Sequence, residues 1–428
     1  MRFKIGDICD INKSSLKKNH NLDFINYLDT GNITEGRVDE IKKIVLAEEK
    51  IPSRAKRIVK ENDIIISTVR PNQKHYGIIK NPIENLIVST GFVVLSPKKE
   101  VNADYLYNYL TLPNITEYLQ GIAETSTTAY PSITPSVISD LEIELPSLVE
   151  QKAIADILSS LDEKIELNNQ MNQTLEEMAQ ALFKRWFVDF EFPNEEGQPY
   201  KSSGGEMVES ELGMIPKGWQ VKSLDSSIIF QNGYAFKSKD LLDKPQENCY
   251  HVFKMGHIVK GGGLNKLGTK SYICKSECDN LGKFVLKKGD LLMCMTDMKN
   301  NVALLGHTAL MDEDNKYILN QRVGLIRVKN PELINYPYLY MLTNSRIFID
   351  ELRSRANSGV QVNLSTKEIK ESLFVCPNKL IHEKFNNLVE IIFEKKFSIG
   401  YENECLRNLR DTLLPKLMSG EICVSDLN

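Results

Sequence analysis

Apolar residues return at three- and four-residue steps along two stretches of this chain. In the first, over 146–192, Leu158, Leu161, Ile165, Leu175, Leu182 and Trp186 fall on one stripe, and Asn168, Asn172 and Ala179 fill its gaps. That spacing predicts a coiled-coil helix with polar interruptions in the middle of its seam. A helix over 148–187 would be about 60 Å long at about 1.5 Å per residue. Segment 193–218 is punctuated by Pro, Gly and Ser, so no globular partner is expected directly after the helix. The stripe therefore needs a second helix to cover it, and the chain supplies one. From Pro377, Phe385, Leu388, Ile392, Ile399, Leu406, Leu409 and Leu413 recur at the same spacing, interrupted by Lys395 and Glu402.

The two stretches belong to a longer internal repeat. Pro146 aligns with Pro377, Glu150-Gln151-Lys152 with His382-Glu383-Lys384, and Leu175, Met178, Leu182 and Phe183 with Leu406, Leu409, Leu413 and Leu414. Upstream, Tyr105-Leu106-Tyr107 aligns with Tyr338-Leu339-Tyr340, Ser132-Ile133-Thr134 with Asn363-Leu364-Ser365, and Asp63-Ile64-Ile65 with Asp290-Leu291-Leu292. Agreement in strand, loop and helix segments, in order, predicts two copies of one unit, each a globular part followed by a long helix.

Within the first copy, strands are expected at 5–11, 63–68 and 86–95, and helices at 103–112 and 115–122. A Ser/Thr-rich loop follows over 123–131, then a short helix at 134–140 and a strand at 141–145. The second copy repeats this with strands at 227–230, 290–296 and 322–328, helices at 336–343 and 345–353, and a loop over 355–361. Helices and strands that do not strictly alternate favour an α+β class. Gly261-Gly262-Gly263 reads as a turn, since no Gly-Lys-Ser or Gly-Lys-Thr follows to make a phosphate loop.

Composition adds little. Hydrophobic residues make up 42% and charged residues 26%, enough to build ordinary cores. No apolar run approaches the eighteen or so residues of a membrane span, and the first residues lack a signal peptide's apolar region, so a cytoplasmic protein is expected. The eight cysteines are scattered. Only Cys274 and Cys278 lie close together, near His251 and His257, and the first copy has no counterpart. Reduced thiols are therefore expected, with no metal and no cofactor. A net charge of −4 does not announce a nucleic-acid binder, but phosphate contact needs only a basic face. Lys50, Arg54, Lys56, Arg57 and Lys60 are such a cluster, preceded by Lys13, Lys17 and Lys18. The chain has no Walker loop, His-Glu-x-x-His or Gly-x-Ser-x-Gly, and no Asn/Asp-Pro-Pro-aromatic tetrapeptide. A binder is expected, not an enzyme.

Two globular units, each closed by Leu-Pro or Cys-Pro and a long helix, together with the run Ala181-Leu-Phe-Lys-Arg-Trp-Phe-Val-Asp-Phe190 and then Gly213-Met-Ile-Pro-Lys-Gly-Trp219, resemble the specificity subunit of type I restriction-modification systems. The resemblance covers essentially the whole chain. It implies an α+β fold of two tandem target recognition domains, 1–145 and 218–376, separated by a pair of long antiparallel conserved helices, 146–192 and 377–418. A linker would occupy 193–217 and a tail 419–428. It implies a non-catalytic subunit that binds double-stranded DNA. Such a subunit docks methyltransferase subunits, two being expected, and recruits restriction subunits where the system has them. The target would be bipartite and asymmetric, because the two units differ in sequence. If both units read major grooves on one face of DNA, the half-sites would lie roughly 34–36 Å apart. Asn168 and Asn172 either set the register of the helix pair or face solvent on a slightly rotated helix.

Base reading needs Arg, Lys, Asn or Gln on loops, with hydroxyls and further cations on phosphates. In the first unit the candidates are Arg70, Asn72, Gln73 and Lys74 on a turn marked by Pro71, and Thr127, Thr128 and Tyr130 on the Ser/Thr loop. In the second they are Lys299, Asn300 and Asn301, and Arg355, Asn357 and Gln361. Taken singly, each also suits a solvent-facing loop; as a group, several are expected on DNA. Two other readings stay open: a recognition module for a different methylase–nuclease enzyme, and a coiled-coil scaffold that binds protein.

Overall fold

The computed structural model describes residues 2–17, 22–125, 130–298, 302–331, 333–358 and 361–424. It divides into two compact units, Met1–Asn168 with Glu402–Asn428, and Asn169–Tyr401.

In the first unit one sheet runs in the order Lys42–Val45, Phe24–Leu28, Leu86–Ser89, Ala55–Ile58, with only the central pair parallel. The other, antiparallel throughout, runs Cys9–Ile11, Phe92–Pro97, Ile64–Ser67, Tyr76–Ile78. Ile64-Ile65-Ile66 shows why this strand carries an unbroken apolar run. Successive side chains point to opposite faces of a sheet. Ile65 joins Leu28, Val88, Phe92 and Val94 in one core. Ile64 and Ile66 join Val93, Tyr105 and Leu106 in another, which Ile154, Leu158 and Leu417 of the long helices complete. Strand Arg2–Lys4 pairs antiparallel with Glu142–Glu144 just ahead of the first long helix.

The second unit repeats the topology. Its antiparallel sheet runs Ile228–Asn232, Val323–Val328, Leu291–Cys294, Thr308–Leu310. Its second sheet runs Tyr272–Cys274, Cys249–Phe253, Tyr317–Leu319, again with the equivalent central pair parallel. Strand Gln220–Ser223 pairs with Leu373–Cys376 as Arg2–Lys4 pairs with Glu142–Glu144. Where the first unit sets Ala55–Ile58 against Leu86–Ser89, the second keeps a single bridge, Val285 to Ile318. The side-chain details recur too. Asn102 and Asn335 cap equivalent helices by accepting from Tyr105 N and Tyr338 N. Tyr105 Oη and Tyr338 Oη both donate to carbonyls of the closing strand, Glu144 O and Val375 O.

Several local expectations are corrected. The strand expected over 5–11 is broken by a helical turn, Ile5–Ile8. The one expected over 86–95 is two strands, Leu86–Ser89 and Phe92–Pro97, in different sheets. The turn at Gly261–Gly263 is present, closed by Gly262 N donating to Val259 O at 3.0 Å.

The long helices are Leu148–Phe183 and Lys379–Ser419. In the first unit their parts run antiparallel, with Asp162 on Arg410 (2.7 Å), Lys164 on Glu402 (3.5 Å) and Asn168 on Asn403 (2.9 Å). In the second unit they do so again, through the Glu176–Lys396 ion pair and the Phe183–Phe385 ring contact at 6.1 Å. Leu158, Ile165, Asn168, Ala179 and Trp186 are buried as the stripe predicts. The second helix departs from its expected seam at some positions. Leu388 and Leu409 are about half exposed, while Val389, Phe393 and Asn403 are buried. Phe385 and Ile399 stay buried as expected, and between them Phe393 in place of Ile392 turns inward and meets Tyr340 at 5.3 Å.

The first helix ends in a π-turn, Lys184–Val188, closed by Asp189 N donating to Lys184 O at 2.9 Å. Trp186 and Phe187 in this widened turn are both buried. The segment after it is not a bare linker. It holds a hairpin, Met207–Ser210 with Gly213–Pro216, and ring stacks of Phe192 on Tyr200 (4.6 Å) and on Trp219 (4.8 Å).

Candidate nucleic-acid interface

Strand Ile64–Ser67 is buried along its length and delivers the next residues to an edge of the first unit. Thr68 N donates to Gly91 O (2.8 Å), Ile133 N to Thr68 O (2.9 Å) and Arg70 N to Pro131 O (2.9 Å), and Val69 bridges antiparallel to Ser132. The two loops picked out separately in the sequence are thus paired backbone to backbone. Between them the Arg70 guanidinium stands 4.9 Å from the Tyr130 ring, a cation–π contact. Tyr130 is 60% exposed.

The turn beyond is held in a strained shape. Pro71–Gln73 forms one 3₁₀ turn between Arg70 at φ 49° and Lys74 at φ 57°. Left-handed backbone costs a non-glycine residue about 1–2 kcal/mol, so the neighbours must over-determine it. They do. Gln73 N donates to Arg70 O and Lys74 N to Pro71 O, both at 2.9 Å. Asn72 N donates to Gln120 Oε1 at 3.1 Å, and Lys74 is ion-paired with Glu35. Gln73 Oε1 lies 3.2 Å from His75 Nε2. The Asn72 and Gln73 side chains are exposed, those of Arg70 and Lys74 partly so. Thr127 and Thr128 lie outside the described residues.

Arg54 of the basic cluster adjoins this edge, whereas Lys60 lies at the other end of strand Ile64–Ser67, next to Asp63. Thr90 N donates to Arg54 O at 2.8 Å, and Gly91 is the residue that accepts from Thr68. Arg54, Lys56 and Lys60 are exposed.

The second unit builds the same edge in more regular form. Buried Leu291–Cys294 leads into Thr296–Met298, which pairs antiparallel with Gln361–Asn363, which in turn pairs with Asn357–Ser358. The Val69–Ser132 bridge of the first unit is here Thr296 opposite Asn363, with Thr296 Oγ1 donating to Asn363 Oδ1 at 2.9 Å. Asp297 accepts from Leu304 N at 2.7 Å and Leu305 N at 3.3 Å, and Arg353 donates to Leu305 O at 2.9 Å and Ala303 O at 3.1 Å. Met298 is exposed. Asn357 and Gln361 sit on the paired strands, and Arg355 is ion-paired with Glu351. Lys299, Asn300 and Asn301 lie outside the described residues.

Sequence reading did not single out Glu35, Gln120, Asp297 or Arg353, whose side chains hold these segments. No motif marks them, because their partners are set by the fold: Lys74 Nζ for Glu35, Asn72 N for Gln120, Leu304 N and Leu305 N for Asp297, and Leu305 O and Ala303 O for Arg353. The cysteine–histidine neighbourhood is occupied by the protein itself. His251 Nε2 lies 2.6 Å from Thr269 O and 3.2 Å from His257 Nε2, and Cys249 and Cys274 face each other across two strands at 3.6 Å. Among the described residues no group of three or more His, Cys, Asp or Glu is placed to hold a metal ion, and no helix is long and apolar enough to cross a membrane.

A repeated head, closed each time by a long helix and presenting loop-paired edges of Arg, Lys, Asn, Gln and Tyr, defines a two-headed recognition protein. The chain belongs to the type I restriction modification DNA specificity domain family, whose model matches residues 1–177 and 216–395. It is a DNA sequence-recognition subunit and not itself an enzyme. Among curated relatives, it is 28% identical to the type I restriction enzyme HindI specificity subunit of Haemophilus influenzae, over 87% of this chain and 89% of that protein. It is also 28% identical to the MjaIX specificity subunit of Methanocaldococcus jannaschii, over 89% and 82%. A crystal structure of the type I system S subunit from M. genitalium shares the fold, with a TM-score of 0.52 and 16% identity over 97% of this chain and 95% of that one.

Proposed function

We propose that the chain reads a bipartite, asymmetric duplex target, one part per unit, and brings it to methyltransferase subunits that modify adenine. The observation that carries this is the recurrence of one edge with different side chains. Arg70 beside Tyr130 occupies it in the first unit, and Asp297, Met298 and Gln361 in the second. One framework with two unlike surfaces suits two unlike half-sites. The polar groups match the task, since Arg pairs with guanine and Asn or Gln with adenine in the major groove, and exposed lysines suit phosphate. Arg70, Asn72, Gln73, Lys74, Thr127, Thr128 and Tyr130 contact the first half-site, and Lys299, Asn300, Asn301, Arg355, Asn357 and Gln361 the second. For Arg355 this means exchanging Glu351 for DNA.

In this reading 1–145 and 218–376 are the recognition domains, 146–192 and 377–418 the helices on which two methyltransferase subunits dock, 193–217 the connection and 419–428 a tail. Restriction subunits join where the system encodes them, and the complex works in the cytoplasm.

Single-molecule sequencing of genomic DNA from the source strain and from a deletion of this gene tests the proposal. Adenine methylation at one gapped, two-part motif should vanish with the gene and return with a restored copy. Restoration with Arg70→Ala should weaken methylation by about 5- to 150-fold through the half-site of the first unit, the loss of one good base contact of about 1–3 kcal/mol. Unchanged methylation at every site in the Arg70→Ala strain would remove Arg70 from the reading surface. Unchanged methylation in the deletion would sink the proposal as a whole.

A further inference from the structure

We propose that Gln120 in the first unit and Arg353 in the second are positioning residues that set how strictly each unit discriminates between bases. The inference rests on the loop-paired edges being the reading surfaces. Both residues stand on the same helix of the repeated topology, Pro113–Glu124 in one unit and Arg346–Ser354 in the other. Both reach a backbone group of the segment that leaves the buried central strand. Gln120 Oε1 accepts from Asn72 N at 3.1 Å, and its Nε2 donates to Glu124 Oε1 at 2.9 Å, so the amide oxygen faces the loop. Arg353 Nε donates to Leu305 O at 2.9 Å and its Nη2 to Ala303 O at 3.1 Å, while Asp297 Oδ2 accepts from Leu304 N and Leu305 N of the same segment.

A contact to backbone holds a loop's path whatever side chains the loop carries. That matters most where the path is unfavourable by itself. Arg70 and Lys74 both have positive φ on either side of the turn that Gln120 grips, so the turn relaxes when a restraint is removed. Its exposed side chains then sample more than one pose, and a groove is read less strictly. Neither clamp touches DNA; each acts through the loop.

The test uses the full chain assembled with the methyltransferase subunits of its own system. Methylation rates are measured on duplexes carrying the mapped target and single-base changes in either half. Gln120→Met keeps the length and removes the acceptor. It should lower discrimination in the half read by the first unit by about 3- to 10-fold, the worth of one net hydrogen bond, and leave the other half within about twofold. Gln120→Glu combined with Glu124→Gln keeps an acceptor for Asn72 N and a hydrogen bond between positions 120 and 124, and should restore discrimination. Arg353→Met should do the reverse of Gln120→Met, relaxing only the half read by the second unit. A purely structural role would lower the melting temperature and slow every duplex alike. Discrimination unchanged in Gln120→Met, or lowered equally in both halves, overturns the proposal while the reading surface stands, provided Arg70→Ala still weakens the first half. If the wild-type assembly shows no two-part preference, the reading surface itself falls and the clamps with it.

Discussion

Two aspartates at equivalent places are buried with different partners. Asp63 and Asp290 each accept from a backbone N–H three residues earlier, Lys60 N at 2.9 Å and Lys287 N at 2.8 Å. Across the sheet Asp63 meets Ser96 Oγ at 2.6 Å. At the equivalent position Asp290 meets Arg327, which grips both carboxylate oxygens at 2.7 Å. Burial raises the Asp63 carboxyl above its ordinary value of 3.8, with the Ser96 hydroxyl and the Lys60 N–H only partly offsetting it. In the second unit the guanidinium compensates for the charge. Arg327→Met should therefore cost about 3 kcal/mol, the low end for breaking a buried pair because the Arg327 side chain is 31% exposed. Ser96→Ala should cost about 1 kcal/mol, a single neutral donor. Denaturant unfolding of the two variants measures both. Equal costs would mean that the arginine adds nothing beyond a hydroxyl.

At the scale of elements, periodicity made the helices legible and non-local packing hid the rest. The stripe from Leu158 to Trp186 runs long enough to outvote its polar members. Its aromatic end became intelligible only in three dimensions. Phe187 stands edge-on to Tyr338 at 4.8 Å and to Phe385 at 4.7 Å, and Trp219 stacks on Phe192. The two motifs that carry the family resemblance are thus one aromatic core. In the second helix Phe385 and Ile399 are buried as their spacing predicts, but Leu388 and Leu409 look as apolar as Val389 and Phe393, and only the packing against the helix chooses between them. The missing sheets had a simpler cause: strands of three to five residues such as Lys42–Val45 and Tyr317–Leu319 are too short to show alternation. Likewise the loops at Arg70 and Tyr130 were each visible, but their pairing spans some sixty residues and leaves no local trace. The seam asparagine can be judged by experiment. Asn168 is buried and donates to Glu402 Oε2 and Asn403 Oδ1, both at 2.9 Å. Asn168→Ala should cost about 1–3 kcal/mol by removing the buried donor that Asn403 Oδ1 accepts from, and Asn168→Ala with Asn403→Ala should cost less than the sum of the two single changes. A double-mutant cycle by thermal unfolding separates the cases. A double change that costs the sum of the two single changes would show that the pair does not act as a pair.

At the scale of the whole chain, the two units repeat a topology but not a response to acid. The chain has six histidines, and His251, His257, His307 and His382 all lie in the second unit. Burial, and for His257 the neighbouring His251 as well, holds His257 down at about 4, and burial alone holds His382 at about 4, against an ordinary value of 6.5. His251 and His307 are lowered in the same direction, again by burial first. A histidine kept neutral in the fold but free to charge when unfolded gives the unfolded state more protons. Its stabilisation is complete above pH 6.5 and is lost as pH falls from 6.5 towards 4, by up to about 3 kcal/mol per deeply buried ring. Asp312, raised by burial, pulls the other way but is a single group. Both tryptophans of the chain, Trp186 and Trp219, are buried in the second unit's core, so their fluorescence reports that unit alone. The urea midpoint read by tryptophan emission should fall steeply between pH 6.5 and 4.5, and His382→Met should flatten the fall. A midpoint that holds steady over this range would mean the rings titrate in the folded protein, and that the second unit tolerates charge at the places where burial forbids it.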